Sequence, residues 1–342
     1  MNTDQLQKNI HDLLFKNIKL TKTQKVLVLY DTDCVLTTTL KDAYEYALQG
    51  YNASLLLYSP TVEEEWKEKL FALSPHDLVV LIQSTSFRIS SYRIRLDLTN
   101  RDIYCIEHVR LAFMKEEEYG TYTASLTYDQ DYYEQTSLFL IDQLKKCTTV
   151  TIVSTDGSRL LYDTHVDAPK RNIGDFTETK GTLFPIGEVF TEPMHLDKVN
   201  GSLLVHGFPS LDHRTLIVRP FKVIIEKGCI VSHQGPEAFE QLLALLRTEN
   251  EDQRVPLREM GFGMNRFISK DKPLNDISSH ERQKGYHMSL GLKHNVYRKK
   301  ISKEKNQRFH VDLFADVKQV YIDDVLVFDE EYLVSSHKSS NS

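Results

Sequence analysis

Cysteine is scarce in this 342-residue sequence, and its four cysteines form no motif. Cys34, Cys105, Cys147 and Cys229 are separated by 71, 42 and 82 residues, and no CxxC pair occurs. This spacing indicates neither a zinc knuckle nor a dense disulfide framework. We therefore expect a protein of a reducing, cytoplasmic compartment.

Long apolar runs, a signal sequence and a surplus of positive charge are also missing. No apolar run approaches about 18 residues, so no transmembrane helix is expected. The first residues, Met1 to Gln5, have neither the basic start nor the apolar core of a signal peptide. Lys and Arg number 42 against 48 Asp and Glu, and this net charge of −6 argues against binding nucleic acid through bulk positive charge. We expect no nucleic-acid partner and no membrane partner.

Nucleotide-binding fingerprints are absent from the first half of the chain, which instead alternates strand and helix patterns. It has no GxGxxG after its first strand, and the whole sequence has no GxxxxGKS/T. Apolar runs predict strands and helical spacing predicts helices, with strands at 25–31, 53–58, 77–82, 103–106 and 150–153 and helices at 42–48, 62–72 and 132–146. Strands separated by helices indicate βαβ units in a mainly parallel sheet.

The second half has closely spaced strand patterns, which are typical of antiparallel pairing. The predicted strands are 202–206, 216–219, 222–226 and 229–232, followed by a helix over 236–247. The sequence therefore predicts an α/β protein in three parts. Residues 1–150 form a mainly parallel α/β scaffold domain, residues 151–334 form an α+β domain with mostly antiparallel strands that carries the chemistry, and residues 335–342 form a disordered tail.

Two histidine segments of the second domain are candidate metal ligands. In His310-Val-Asp312, strand geometry places the imidazole and the carboxylate on one face, because residues i and i+2 point the same way. The alternative is a polar strand face exposed to water. His287 lies in the apolar, glycine-bounded stretch Gly285–Gly291, where it is either a ligand or a hydrogen-bonded core histidine.

Glu188 and Glu259 are the acidic candidates, since both lie beside glycines that allow close backbone approach to a ligand. Each glutamate alone is also compatible with an ordinary surface position. Taken with the two histidines and Asp312, they form a set of ligands that suits a pair of Zn, Co or Mn ions. Two such ions about 3.5–4 Å apart polarise a scissile carbonyl.

Several short motifs in a fixed order resemble the aminopeptidase T family of metallopeptidases. Between about residues 185 and 328, the motifs are Gly187-Glu-Val-Phe-Thr191, Val199-Asn-Gly201, Glu259-Met-Gly-Phe-Gly-Met-Asn265, His280-Glu-Arg282, Gly285-Tyr-His-Met-Ser-Leu-Gly291 and His310-Val-Asp312. The resemblance covers the second domain, whereas the first domain carries no diagnostic motif.

This resemblance implies a dimeric, two-domain exopeptidase that holds two divalent metals. The implied ligands are the five side chains Glu188, Glu259, His287, His310 and Asp312. The implied reaction removes the N-terminal residue of a peptide through attack of a metal-activated hydroxide on the first peptide carbonyl. Glu259 would bridge the metals and assist proton transfer.

Two features depart from that pattern. Seven residues after its HxxxG histidine the peptidase pattern has a tyrosine thought to assist the transition state, and His294 stands there, with Tyr297 nearby. His294 is thus the second catalytic candidate, as a hydrogen-bond donor.

The segment from Arg282 to Arg308 carries nine basic residues and one acidic residue, Glu304. It is either a solvated loop or a cationic flap that favours acidic substrates or an anionic partner.

Two other functions fit the same scaffold. A similar group, the 2,5-dihydroxypyridine dioxygenases, uses a single Fe(II), and His287, His310 and Asp312 would supply its facial triad. The glutamate pair favours the two-metal alternative, because a mononuclear triad does not need both carboxylates. The third hypothesis is a non-catalytic binding protein, for which removal of metal alters no activity.

Overall fold

A computed structural model describes residues 2–59, 63–89, 92–176, 179–294, 296–297 and 308–334. The chain forms two compact units. Unit 1 contains Met1–Gln130, Asn172–Gly187 and Asn265–His280, and unit 2 contains Asp131–Arg171, Glu188–Met264 and Glu281–Ser342. The units are interleaved along the chain, and the single division at residue 150 stays a prediction. The predicted tail at 335–342 lies outside the described residues.

Unit 1 is built on a five-stranded parallel sheet with the strand order β10-β6-β3-β1-β2. These strands are β1 (Lys25–Tyr30), β2 (Asn52–Leu57), β3 (Leu78–Ile82), β6 (Tyr104–His108) and β10 (Gly181–Leu183), and β4 (Arg88–Ile89) pairs separately with β5 (Tyr92–Arg93). The central strand β3 is a continuous apolar run and is buried at every position, as a strand covered on both faces must be. The predicted mainly parallel α/β architecture is confirmed.

The first helix of unit 1 precedes these strands, and the others lie between the strands or follow them. They are α1 (Thr3–Asp12), continued by a π-helical turn (Leu13–Asn17), α2 (Val35–Ala47), α3 (Glu63–Phe71), α4 (Ile94–Asn100), α5 (Tyr119–Ser125) and α8 (Ile277–His280). Helix α2 begins seven residues before the predicted start at 42, because its first turn is capped: the Cys34 amide donates to the Thr37 hydroxyl at 3.4 Å.

Unit 2 is built on a 13-stranded sheet whose strands pair antiparallel in every described register. The main path runs β20-β19-β18-β7-β8-β12-β17-β16-β15-β11-β9, and β13 and β14 extend from β12. The strands are β7 (Val150–Ser154), β8 (Arg159–Tyr162), β9 (Lys170–Asn172), β11 (Glu188–Thr191), β12 (Val199–Pro209), β13 (Thr215–Glu226), β14 (Cys229–His233), β15 (Leu257–Gly263), β16 (Gly285–Gly291), β17 (His310–Ala315), β18 (Val317–Ile322), β19 (Val325–Asp329) and β20 (Glu331–Tyr332). The predicted α+β domain with mostly antiparallel strands is confirmed.

Strand β13 corrects one sequence prediction. The segments 216–219 and 222–226 were expected as two strands, and the structure joins them in one strand, Thr215–Glu226. Pro220 separates the two halves and has no amide to donate to a ladder. The register with β12 shifts between Val205 and Gly207, so a bulge accommodates the proline without ending the strand.

Two helices accompany the sheet of unit 2, α6 (Gln130–Leu144) and α7 (Glu237–Arg247). Helix α7 matches its predicted range, and its apolar face is buried: Phe239, Leu242, Leu243 and Leu246. Each such side chain contributes about 1.5–3 kcal/mol when it is fully removed from water. None of the described helices is long and apolar enough to cross a membrane.

Candidate metal centre

The five predicted ligands lie on four adjacent strands of the unit 2 sheet. Glu188 begins β11, Glu259 is on β15, His287 is on β16, and His310 and Asp312 are on β17. Cross-strand neighbours share a face of a sheet. The registers Glu188↔Gly263, Gly261↔His287 and Ser289↔Asp312 therefore place all five side chains on one face. The sequence pattern had placed only His310 and Asp312 side by side.

Small residues leave the space that these side chains occupy. Gly261 pairs with His287, and a Cβ at residue 261 would lie 2.0 Å from His287 Nε2. Only glycine at this position allows the imidazole to lie over the strand. Ser289 holds the neighbouring strand, since its hydroxyl accepts a hydrogen bond from the Glu259 amide at 2.9 Å.

The ligand atoms form two groups that share one carboxylate. Glu188, Glu259 and His287 make one group, and Glu259, His310 and Asp312 make the other, with the ligand atoms of each group within 4.8 Å of one another. His287 Nε2 is 3.1 Å from Glu188 Oε1 and 3.7 Å from Glu259 Oε1. His310 Nε2 is 3.2 Å from Asp312 Oδ1. Glu259 thus stands between two sets of nitrogen and oxygen donors.

Three buried atoms in this cluster have ion-pair neighbours at most and make no well-formed hydrogen bond within the described part of the chain. Nδ1 and Nε2 of His287 and Oδ1 of Asp312 are buried, and no hydrogen bond with good geometry reaches them from the described residues. Burying polar atoms in this way is costly unless a ligand satisfies them. The oxygen and imidazole donors of each group could therefore hold a metal ion.

Charge interactions dominate the protonation of the site. Burial alone lowers the pKa of His287, but the carboxylates of Glu188 and Glu259 outweigh it and raise that pKa to about 10. Burial likewise opposes the protonated form of His310, and Asp312 raises its pKa to about 10. Burial raises the pKa of Asp312, yet the charge of His310 outweighs it and holds that pKa well below its usual range. In the absence of metal, protonated histidines partly balance the carboxylates.

Two further residues contribute charge to the cluster, and their roles were missed from the sequence. The buried Arg282 guanidinium pairs with Glu188 Oε2 and lies 2.7 Å from Glu281 Oε1. Burial raises the pKa of Glu281 well above its usual value. The motif His280-Glu-Arg282 was recognised only as part of the resemblance, because nothing local to it shows that Arg282 meets a strand 94 residues away.

His294, the second catalytic candidate, borders the metal-ligand cluster. Its ring centroid is 6.0 Å from that of His310 and 4.8 Å from that of Phe190. Its backbone amide donates to Glu192 Oε1 at 2.8 Å, which anchors the turn. Burial lowers the pKa of His294, so the neutral ring is favoured. Tyr297, in contrast, donates its hydroxyl to the Ala168 carbonyl at 2.8 Å.

Only part of the basic segment from Arg282 to Arg308 lies within the described residues. Arg298, Lys299, Lys300, Lys303 and Lys305 lie outside the described residues, so the cationic flap stays a prediction. The other basic residues pair with carboxylates: Arg282 with Glu188 and Glu281, Lys284 with Glu331, Lys293 with Asp167 and Glu192, and Arg308 with Glu249. The described part of the segment is therefore neutralised by its own acidic neighbours.

Comparisons with known proteins agree on the fold. No family model and no curated protein matches the sequence. The chain is similar to the structure of 2,5-dihydroxypyridine dioxygenase from Pseudomonas putida KT2440, with a TM-score of 0.63 at 15% identity over 97% of this chain and 98% of that chain. It is equally similar to wild-type AmpT from Thermus thermophilus, with a TM-score of 0.63 at 14% identity over 96% and 99%. These likenesses show a shared fold over nearly the whole chain.

Proposed function

We propose that this chain is a metal-dependent, aminopeptidase-like hydrolase that removes N-terminal residues from peptides with the help of two divalent ions. The observation that carries the proposal is the position of Glu259, which belongs to both ligand groups. A carboxylate shared between two donor sets is what a bridged pair of ions requires. The likeness to AmpT, an aminopeptidase T, supports the same reading.

The geometry gives less support to a single iron held by a facial triad. That triad would consist of His287, His310 and Asp312, and the structure divides these residues between the two groups. His287 lies with the two glutamates, whereas His310 and Asp312 lie on the other side of Glu259. The described arrangement therefore favours two ions over one.

Within this proposal each side chain has a definite task. Glu188 and His287 would hold one ion, His310 and Asp312 would hold the other, and Glu259 would contribute to both sites. Bound ions would lower the pKa of water and polarise the scissile carbonyl. Arg282 engages Glu188 Oε2 and leaves Oε1 for the metal.

His294 is suited to donate a hydrogen bond to the oxygen that becomes negative in the transition state. Its Nδ1 accepts from the Val296 amide at 3.4 Å, so the proton of the neutral ring resides on Nε2. A donor aimed at developing charge in a buried site accounts for roughly 10²–10³ in rate. His294 would thus take the place of the tyrosine in the peptidase pattern.

The test combines metal content with activity. Protein purified without chelator should contain close to two Zn, Co or Mn ions per chain and release the first residue of unblocked peptides but not of N-acetylated ones. His310→Ala should abolish this release, while exposed His213→Ala should retain it. Unchanged turnover in the His310 variant, or protein that binds no metal, contradicts the proposal.

A ring-cleaving dioxygenase is the second candidate, supported by the equal TM-score of 0.63 to 2,5-dihydroxypyridine dioxygenase. The dioxygenase alternative predicts one Fe(II) per chain and oxygen uptake with a dihydroxypyridine.

A homodimer and a peptide or small-molecule substrate remain our expectations from the family resemblance. Gel filtration with light scattering tests the oligomeric state.

A further inference from the structure

A cluster of arginines lies beyond the carboxyl ends of the parallel strands in unit 1. This arginine cluster consists of Arg88 on β4, its directly opposite cross-strand neighbour Arg93 on β5, Arg95 in the first turn of α4 and Arg110 two residues after β6. Ligands of open α/β sheets bind outside the carboxyl ends of the strands. The strand order of unit 1 reverses between β1 and β3, so this edge is the one where a ligand crevice is expected.

Only half of the cluster is paired with carboxylates. Arg95 Nε lies 2.8 Å from Oε2 of the buried Glu107, and the Arg110 guanidinium pairs with the buried Asp276. Arg88 and Arg93 make no ion pair with any carboxylate among the described residues. Counting only these ion pairs, the arginine cluster has two positive charges in excess. Asp31 and Asp33, which follow β1 at the same edge, accept instead from the Ser84 amide and hydroxyl at 2.7 and 3.4 Å.

Arg93 is the more buried of the two arginines for which the described residues supply no ion pair. Its side chain is partly buried, and burial lowers its pKa. Glu107 attracts its charge, while Arg95, Arg88 and Arg110 repel it. Partial desolvation and the neighbouring like charges both disfavour the charged form of Arg93. An anionic ligand would supply the missing counter-charge.

We propose that the arginine cluster binds a phosphate group, either as inorganic phosphate or as part of a small phosphorylated molecule. Phosphate carries nearly two negative charges at neutral pH, which matches the excess of the cluster, whereas a carboxylate carries one. Guanidinium groups also match phosphate oxygens with paired hydrogen bonds. Arg88 is exposed, so a ligand reaches the cluster from solvent. The proposal is independent of the metal centre.

The experiment measures binding of inorganic phosphate by isothermal titration calorimetry in the full-length protein. Wild type should bind with a Kd of about 1 mM or tighter. Arg93→Met should weaken the affinity about tenfold or more, because it removes a charged hydrogen-bond donor. Arg219→Met, at an exposed position on β13 in unit 2, makes the same change in net charge and should leave the affinity within about twofold of wild type.

The melting temperature without phosphate separates binding from folding. Arg93→Met should melt at the wild-type temperature or above, because it removes an uncompensated charge, and should lose the stabilisation that phosphate gives wild type. No phosphate binding by wild type, or equal affinity in the Arg93 variant, overturns the proposal. A lower melting temperature with unchanged phosphate affinity also overturns it, because Arg93 would then serve only the fold.

Discussion

Replacing Gly261 with alanine should disable one half of the metal centre. An added Cβ would lie 2.0 Å from His287 Nε2, while real Cβ contacts essentially never fall below 3.0 Å. The imidazole must therefore move by at least about 1 Å, and misplacement on this scale costs on the order of 10²-fold in rate. The group with Glu188 should lose affinity for metal, whereas the group with His310 and Asp312 should keep it.

Zinc titration by calorimetry provides the assay, because it distinguishes tightly bound from weakly bound ions. Wild type should bind two ions tightly, and Gly261→Ala should bind one tightly and one at least about tenfold more weakly. Gly120→Ala is the matched control, since nothing lies within 4 Å of the Cβ it would add. If Gly261→Ala bound two ions as tightly as wild type, the assigned position of His287 would be refuted.

Three other predictions concern charge and packing. His108 lies between the hydroxyls of Tyr44 and Tyr122, and burial lowers its pKa to about 3. The pKa of a histidine in the unfolded chain is near 6.5. The free energy of unfolding should therefore fall as the pH drops below about 6.5, by about 2 kcal/mol at pH 5. Between pH 7.5 and pH 5, the free energy of unfolding measured in urea should fall less in His108→Gln than in wild type. An equal fall in both proteins would contradict this prediction. Arg282→Met should lower zinc affinity about 10–100-fold while leaving the helical content of the circular dichroism spectrum unchanged. Leu243→Ala, on the buried face of α7, should lower the free energy of unfolding by about 2–5 kcal/mol, and a loss below about 1 kcal/mol would argue against that packing.

Much of the architecture follows from local patterns. The apolar run at 77–82 and the helical spacing at 236–247 predict β3 and α7, because one is buried on both faces and the other on one face. Strand β10 could not be predicted in this way. It has three residues, Gly181–Leu183, and joins the unit 1 sheet beside β6, which lies more than 70 residues earlier. Nothing in so short a segment indicates its distant partner.

The candidate site, like the fold, follows partly from local sequence patterns and partly from pairing between distant strands. The His310 and Asp312 pair follows from strand alternation. The other three residues are candidates by residue type and neighbouring glycines, and the family resemblance implies their role as ligands. Their convergence depends on the registers of β11, β15, β16 and β17, which the sequence does not specify. The need for glycine at 261 becomes clear only once His287 is known to lie over it.

The bridging role that we propose for Glu259 is tested most directly by electron paramagnetic resonance of protein loaded with Mn(II). Two ions that share this carboxylate would lie about 3.5–4 Å apart. We predict the spectrum of an exchange-coupled pair in wild type. In Glu259→Gln the coupled signal should be replaced by that of isolated ions. A spectrum of isolated Mn(II) in wild type, or a coupled pair that persists unchanged in Glu259→Gln, would contradict the two-metal account.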